Sequence, residues 1–375
     1  MLKPIHHVPC SPALRACRRL QEHLAAWLCD PAVAAADISQ ANLVPPRVPT
    51  QIEADWLWAF LQKVDAKKSL LARAQTLASL PIADKGLLQQ RVNVVSELAS
   101  QFQSSPPAWP IATPPISKEA WLAFKELMEA FYEKGLRGGL PYAADGTPVT
   151  VGGVTYAQFV QTFRNTHRLN PNPGAREVCV LCGGPLEDIE VDHWIAKSTY
   201  PLLSVCADNL LPICATCNST DNKGSKPVHS NGSFADWFHP YWRNAGGCIR
   251  LDYDLQTLSI GTSATNPDDT TRVAKLDQLL NLAKRWTREF KAEYIKRRGD
   301  FHRRGQLRKH HNQPHYTQAE LLAHIQTEQA VLSPTEPHYE VHSTVLAALL
   351  EQARLAAWET ELGLIWDDDV SEQAA

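Results

Sequence analysis

The sequence predicts an α+β fold in which a small metal-held module lies between a helical N-terminal region and a mixed, mainly helical C-terminal region. Two cysteine pairs, Cys179-x-x-Cys182 and Cys214-x-x-Cys217, bracket a segment that alternates like short strands. Before position 137, apolar residues recur at three- and four-residue steps, the period of an amphipathic helix. After position 245, two short alternating segments precede long stretches of helical period. The regions are therefore drawn at 1–137, 138–245 (core 175–226) and 246–375.

Composition sets the bounds. A chain of 375 residues has room for two to three domains, at roughly 100–200 residues each. Its 44% hydrophobic and 21% charged residues are those of a water-soluble globular protein. The net charge of −3 means that attraction to a polyanion has to come from a local patch. Nine cysteines in this length are too few for a disulfide framework. No run approaches the ~20 apolar residues of a membrane span, and the opening MLKPIHHVPCSPALRACRRLQEHL lacks the apolar core of a secretory signal. A cytoplasmic protein with no membrane partner is expected.

The elements follow in chain order. Trp56, Phe60, Leu61, Val64, Leu71, Ala74 and Leu77 predict one helix over 53–79, and Leu87, Val94, Val95, Leu98 and Phe102 a second. The prolines of SSPPAWPIATPPISK (104–118) exclude a helix there, since each removes a backbone donor and biases its predecessor to extended geometry. Ser117 is a suitable N-cap for a helix carrying Trp121, Phe124, Leu127, Met128 and Phe131 on one side. TPVTVGGVTY predicts a hairpin turning at Gly152-Gly153, and AQFVQTFRNTH a short helix. CIRLDYD and TLSIGT read as two strands, and 270–298 as one long helix carrying Val273, Leu276, Leu280, Ala283, Trp286 and Phe290. Thr317-x-x-Glu320 has the form of a capping box. A last helix is expected over 341–360, followed by an acidic tail, WDDDVSEQAA, that frays.

The cysteine pairs are the most specific signal. Each short spacing lets two thiolates point at one ion from a tight turn, and two such turns complete a tetrahedral Zn²⁺ site. Glycines follow the second thiol in CVLCGG. A redox pair would sit at a strand-to-helix junction of an α/β pattern, and none precedes Cys179. Four protein ligands leave no open position, so this zinc is expected to be structural. Cys206, Cys10, Cys17, Cys29 and Cys248 read as small buried apolar residues.

The pairs are 31 residues apart, longer than a minimal zinc ribbon requires, so the insert carries something else. IEVDHW alternates like a strand ending in Asp192-His193; Asn209-Leu-Leu-Pro-Ile returns as a second strand into Cys214; Asn218 follows Cys217 at the start of a helix. Asp-His followed by Asn-Leu-x-Pro-x-Cys-x-x-Cys-Asn resembles the zinc-containing branch of the HNH (ββα-metal) endonucleases, and DHWIAKSTYP and FHPYW (238–242) resemble a bacterial subgroup of it. The resemblance covers about 175–226, reaches at most toward 290, and says little about 1–150.

The resemblance implies roles. His193 matches the general base that deprotonates water. Asp192 and Asn218 match ligands of one catalytic divalent ion. Asn209 matches the residue that pins the loop between the strands and so fixes the base. An imidazole with an ordinary pKa of ~6.5 suits the first role. A carboxylate, an amide oxygen and waters make a hard site suited to Mg²⁺ or Mn²⁺. The family often shows Cys-Asn-x-x-Lys-Gly, whereas CNSTDNKGSK places two more residues before Lys223-Gly224. Asn222, four residues after Asn218, is then either a further ligand on the same helix face or a polar surface residue. Lys223 and Lys226 either touch phosphate or are solvated.

Residues 284–311 hold eleven Lys or Arg against three acids. Such a run, including Arg297 and Arg298, would either grip a nucleic-acid backbone or form a solvated face. Trp286, Phe290, Tyr294 and Phe301 would stack on bases or belong to the buried stripe. The two His-His pairs, His6-His7 and His310-His311, have no partners at metal-ligand spacing. The function expected from the resemblance is a DNA endonuclease in restriction or antiphage defence, paired as a homodimer or with another protein through its helical regions. The rival is a zinc-stabilised nucleic-acid-binding or interaction module whose nuclease site is silent.

Overall fold

Helices supply most of the ordered chain, and each sheet among the described residues is a single antiparallel pair. The computed structural model describes residues 3–65 and 67–372, with side chains as far as Trp366. Two compact units divide it, one of residues 3–168 and 187–245, the other of residues 169–186 and 246–375. No helix among the described residues is long and apolar enough to cross a membrane.

The first unit opens with α1 (Ser11–Leu28), whose Leu14, Cys17, Leu20, Leu24 and Leu28 are buried at helical spacing. The predicted helix over 53–79 is two helices, α2 (Gln51–Leu61) and α3 (Leu70–Ala78), parted by a tight antiparallel pair, β1 (Val64–Asp65) and β2 (Lys68–Ser69). The buried Arg73 guanidinium explains the interruption. It donates to the carbonyls of Asp65 and Lys68, satisfying turn acceptors that a helix would have used internally. Val64, assigned to the apolar stripe, is 63% exposed in that turn.

Helix α4 (Ile82–Ser96) is followed by a 3-10 turn over Leu98–Phe102, and α5 (Lys118–Ala130) starts at Ser117, whose hydroxyl accepts from the Ala120 amide. The helix widens into a π turn over Phe131–Leu136. The expected hairpin turns elsewhere. Tyr142 bridges to Pro148, and the chain reverses at Asp145-Gly146, with Gly146 at φ 88°. Gly153 instead lies so close to Leu140 that a Cβ would stand 1.7 Å from the Leu140 carbonyl oxygen. Helix α6 (Tyr156–His167) forms as predicted, with Thr155 and Gln158 making a reciprocal capping box.

β3 (Ile189–His193) and β4 (Leu210–Cys214) then pair in antiparallel register, Asp192 opposite Leu211 and His193 opposite Leu210. β4 is buried along its whole length and leads into α7 (Ala215–Asn218). Asn218 therefore ends the helix rather than starting it, and Ser219 is already extended. The N-terminal helices close around the β3–β4 loop. Gln21 on α1 donates to Ser204 Oγ and to the Met128 carbonyl, and Ser204 Oγ donates to the same carbonyl. Arg91 on α4 reaches the Thr199 carbonyl. A buried polar side chain costs stability unless it is paired, so these bonds fix where the loop sits.

The second unit contains β5 (Ile249–Asp254) and β6 (Ser259–Ala264), with Ile249 opposite Ala264. The long helix expected from 270 is broken into α8 (Thr270–Leu280) and α9 (Leu282–His310) by Asn281 in the left-handed region, φ 51°. Asparagine tolerates that conformation better than other chiral residues, and Asp277 caps the restart through the Ala283 amide. Trp286, Phe290, Tyr294 and Phe301 are buried, which assigns them to the stripe rather than to base stacking. Helix α10 (Gln318–Val331) begins at the Thr317/Glu320 capping box. The single last helix resolves into α11 (Tyr339–Leu349) and α12 (Gln352–Glu372). Of the tail expected to fray, the backbone as far as Glu372 instead continues α12, and residues 373–375 lie outside the described residues.

Candidate functional site

The Sγ atoms of Cys179, Cys182, Cys214 and Cys217 lie within 4.8 Å of one another, and all four residues are buried. This set can hold a structural metal such as zinc, because four thiolates fill a tetrahedral shell. The first knuckle is shaped by its backbone. The Cys179 amide donates to the Gly184 carbonyl at 2.8 Å and the Gly183 amide to the Cys179 carbonyl at 2.9 Å. It is braced by Trp286 Nε1, 3.0 Å from the Cys182 carbonyl, and by the His338 amide, 2.7 Å from that of Gly183. The second knuckle comes from the end of β4 and from α7, where the Lys223 amide caps the Cys217 carbonyl.

Asp192, His193 and Asn218 line one cavity of about 340 Å³, together with Lys197, Thr220 and Ser225. Strand β3 places Asp192 and His193 at its end, and α7 brings Asn218 alongside. His193 is 7% exposed, and its Nε2 lies 2.8 Å from the Ser204 carbonyl. A carbonyl only accepts, so Nε2 carries the proton and Nδ1 keeps the lone pair. Burial pushes the imidazole pKa down to about 3, which keeps it neutral at physiological pH. Tyr132 from the π turn packs edge-on against the ring, 4.6 Å between centroids.

Asn209 is fully buried and spans the β3–β4 loop. Its Oδ1 accepts from the Ile195 amide at 2.7 Å, and its Nδ2 donates to the carbonyls of Ile195 at 2.9 Å and Leu203 at 3.2 Å. Ser204, the acceptor for His193, directly follows Leu203. The side chain that pins the loop thus also sets the partner of the imidazole.

Asp192 is 4% exposed, and its Oδ2 makes no hydrogen bond among the described residues. Burial pushes its carboxyl above the usual range, and the Lys223 ammonium 3.6 Å away opposes that rise. Lys223 itself is fully buried. Its Nζ donates to the carbonyls of Gly224 at 2.9 Å and His193 at 3.3 Å, and burial lowers its pKa against the pull of Asp192. It is therefore neither solvated nor open to phosphate. A buried carboxylate oxygen without a donor, beside a partly exposed amide, fits a hard cation better than a soft one.

Other predicted residues are placed differently. Asn222 does not share a helix face with Asn218, since α7 has ended; its Nδ2 donates to the Thr216 carbonyl and to Ser219 Oγ. Lys226 donates to the Asp221 carbonyl. Arg297 pairs with Glu293 and with Glu328 of α10, and Arg298 with Glu361 of α12. Arg303 and Arg308 also have carboxylate partners, Asp300 and Glu320. Much of the basic run is thus matched within its own unit.

Sequence reasoning missed Lys197, Ser204 and Glu190. Lys197 lines the cavity and pairs with Glu133 at 2.8 Å. It lies four residues past His193 within DHWIAKSTYP, a positional signal that the sequence offers. Glu190 accepts from Asn218 Nδ2 at 2.6 Å. Ser204 acts through its backbone carbonyl, which no side-chain pattern reveals. No protein-family model, curated protein or solved structure matches the chain.

Proposed function

We propose that this chain is a metal-dependent endonuclease of the HNH kind, hydrolysing phosphodiester bonds in DNA. What supports it above all is the sharing of one cavity by Asp192, His193 and Asn218, with Asn209 locking the loop that orients the imidazole. His193 Nδ1 would take a proton from a water, whose oxygen attacks phosphorus while the bond to the 3′ oxygen breaks. Its Nε2–H bond to Ser204 holds the ring in the tautomer that this requires. Mg²⁺ or Mn²⁺ bound by Asp192 and Asn218 would supply charge neutralisation at the phosphate and leaving oxygen. Lys223 helps keep Asp192 ionised and ties the end of β3 through the His193 carbonyl. The thiol cluster, holding zinc, would fix the second knuckle and with it the position of Asn218.

One such site cuts one strand, so duplex cleavage would proceed through a dimer or two successive nicks. Restriction or antiphage defence is the setting that the resemblance favours. The Asp192–Lys223 pair supports a second reading, a zinc-stabilised binding module with a silent site, because it gives the carboxylate a protein cation as partner. Supercoiled plasmid, single-stranded DNA and RNA incubated with zinc-loaded protein in Mg²⁺, Mn²⁺ or EDTA separate the two. Metal-dependent nicking of DNA supports the enzyme. DNA retention in a gel shift, with no cleavage in any metal, supports the binding module.

A further inference from the structure

We infer that Glu190 is the positioning residue that sets the amide of Asn218, presenting its oxygen to the cation; this rests on the proposed cation site. Glu190 and Asp192 are two residues apart on β3, so their side chains leave the same face of the strand. That face meets α7, where Asn218 is the final residue. Asn218 Nδ2 lies 2.6 Å from Glu190 Oε2.

Which end of the Asn218 amide faces Glu190 decides whether the other end can ligate a cation. An asparagine side chain has a donor end and an acceptor end of nearly equal shape, and only its partners decide the orientation. An ionised carboxylate accepts only, so Nδ2 must face Glu190, and Oδ1 is directed away from it. Oδ1 receives no hydrogen bond among the described residues and is free for a hard cation. Turning the amide over would set two oxygens against each other and offer the cation an NH₂ group, which cannot ligate it. Glu190 also places a carboxylate near enough to Asp192 to act on it electrostatically, and added negative charge there favours a divalent ion. The arrangement is that of an outer partner orienting a ligand, a class of contact whose loss costs roughly tenfold or more in metal affinity.

The test is Mn²⁺ binding, followed by electron paramagnetic resonance, on zinc-loaded full-length protein. Wild type, Glu190→Gln, Asn218→Ala, the double variant and Asp192→Asn are compared, with zinc content and circular dichroism verifying the fold of each. Glu190→Gln keeps the size of the side chain but can pair with either end of the amide, so Mn²⁺ affinity should fall about tenfold. The same substitution should have little further effect in the Asn218→Ala background, because Glu190 acts through that amide. An undiminished loss in that background, or none in the single variant, overturns the positioning role while leaving the cation site intact. Unchanged Mn²⁺ affinity in Asp192→Asn removes the site itself, and the nuclease reading falls together with this one.

Discussion

Replacing Asn209 by alanine should damage the fold far more than replacing Asn218, although both residues belong to the same motif. The Asn209 amide serves three backbone groups: the Ile195 N–H and the carbonyls of Ile195 and Leu203. Ile195 is 1% exposed and Leu203 is fully buried, so water does not readily replace what is lost. Leaving a buried backbone group unpaired costs about 1–3 kcal/mol. Three such groups, taken toward the lower end because the vacated space can admit a water, sum to roughly 3–5 kcal/mol. For a unit of this size each kcal/mol moves the melting midpoint by about 2–4 °C, so a fall on the order of 10 °C is expected. Asn218 is partly exposed with a single side-chain bond to an exposed carboxylate, and its alanine variant should lose less than about 1 kcal/mol. Thermal denaturation supplies the magnitude and amide hydrogen exchange the location, through faster exchange at Ile195 and its neighbours in Asn209→Ala. A midpoint within about 2 °C of wild type, with Ile195 still protected, would refute the pinned loop.

Two further outcomes follow from other parts of the molecule. Cys182→Ser should bring zinc content close to zero and destabilise the protein, because metal-binding energy at such a site is folding energy; unchanged zinc by elemental analysis would contradict it. His239 is buried with its pKa pushed down to about 3, and its Nδ1 accepts from the amides of Tyr241 and Trp242. Between the ordinary value of ~6.5 and 3 the unfolded chain binds a proton that the folded chain refuses, so stability falls as the pH drops through that window. From pH 7 to 5 this amounts to about 2 kcal/mol for His239, with a similar contribution from His193. His239→Asn keeps an acceptor for the two amides and should flatten the decline; the same pH dependence in variant and wild type would refute the assignment.

The parts of the site legible in the sequence are those whose chemistry fixes residue type and spacing. The Cys-x-x-Cys pairs were readable because two thiolates on one ion impose that gap. Asp192, His193 and Asn218 share a cavity, and the Asn209 amide spans the loop between the strands. What stayed hidden depends on burial or on backbone atoms. Ser204 matters through a carbonyl that every residue possesses. Lys223 looked like a surface cation among polar neighbours, yet it is enclosed, with its ammonium near Asp192 and 5.8 Å from the Trp194 ring centre. Arg297 finds Glu328 from a helix remote in sequence, which a local charge count does not register. Among the elements, periodicity identified helices but carried 53–79 across a turn held by Arg73 and carried 270–298 across Asn281. The chain reverses at Asp145-Gly146 rather than at Gly152-Gly153, because the close approach of Gly153 to Leu140 is a tertiary fact.

In the proposed mechanism His193 activates water for phosphodiester hydrolysis. The most direct measurement is conversion of supercoiled plasmid in Mg²⁺ by wild type and by His193→Gln, both with full zinc content and matching circular dichroism. Nicked or linear DNA from the wild type alone, with DNA binding retained by the variant, is the predicted result. Equal cleavage by the two proteins, or none by the wild type in either Mg²⁺ or Mn²⁺, would contradict it.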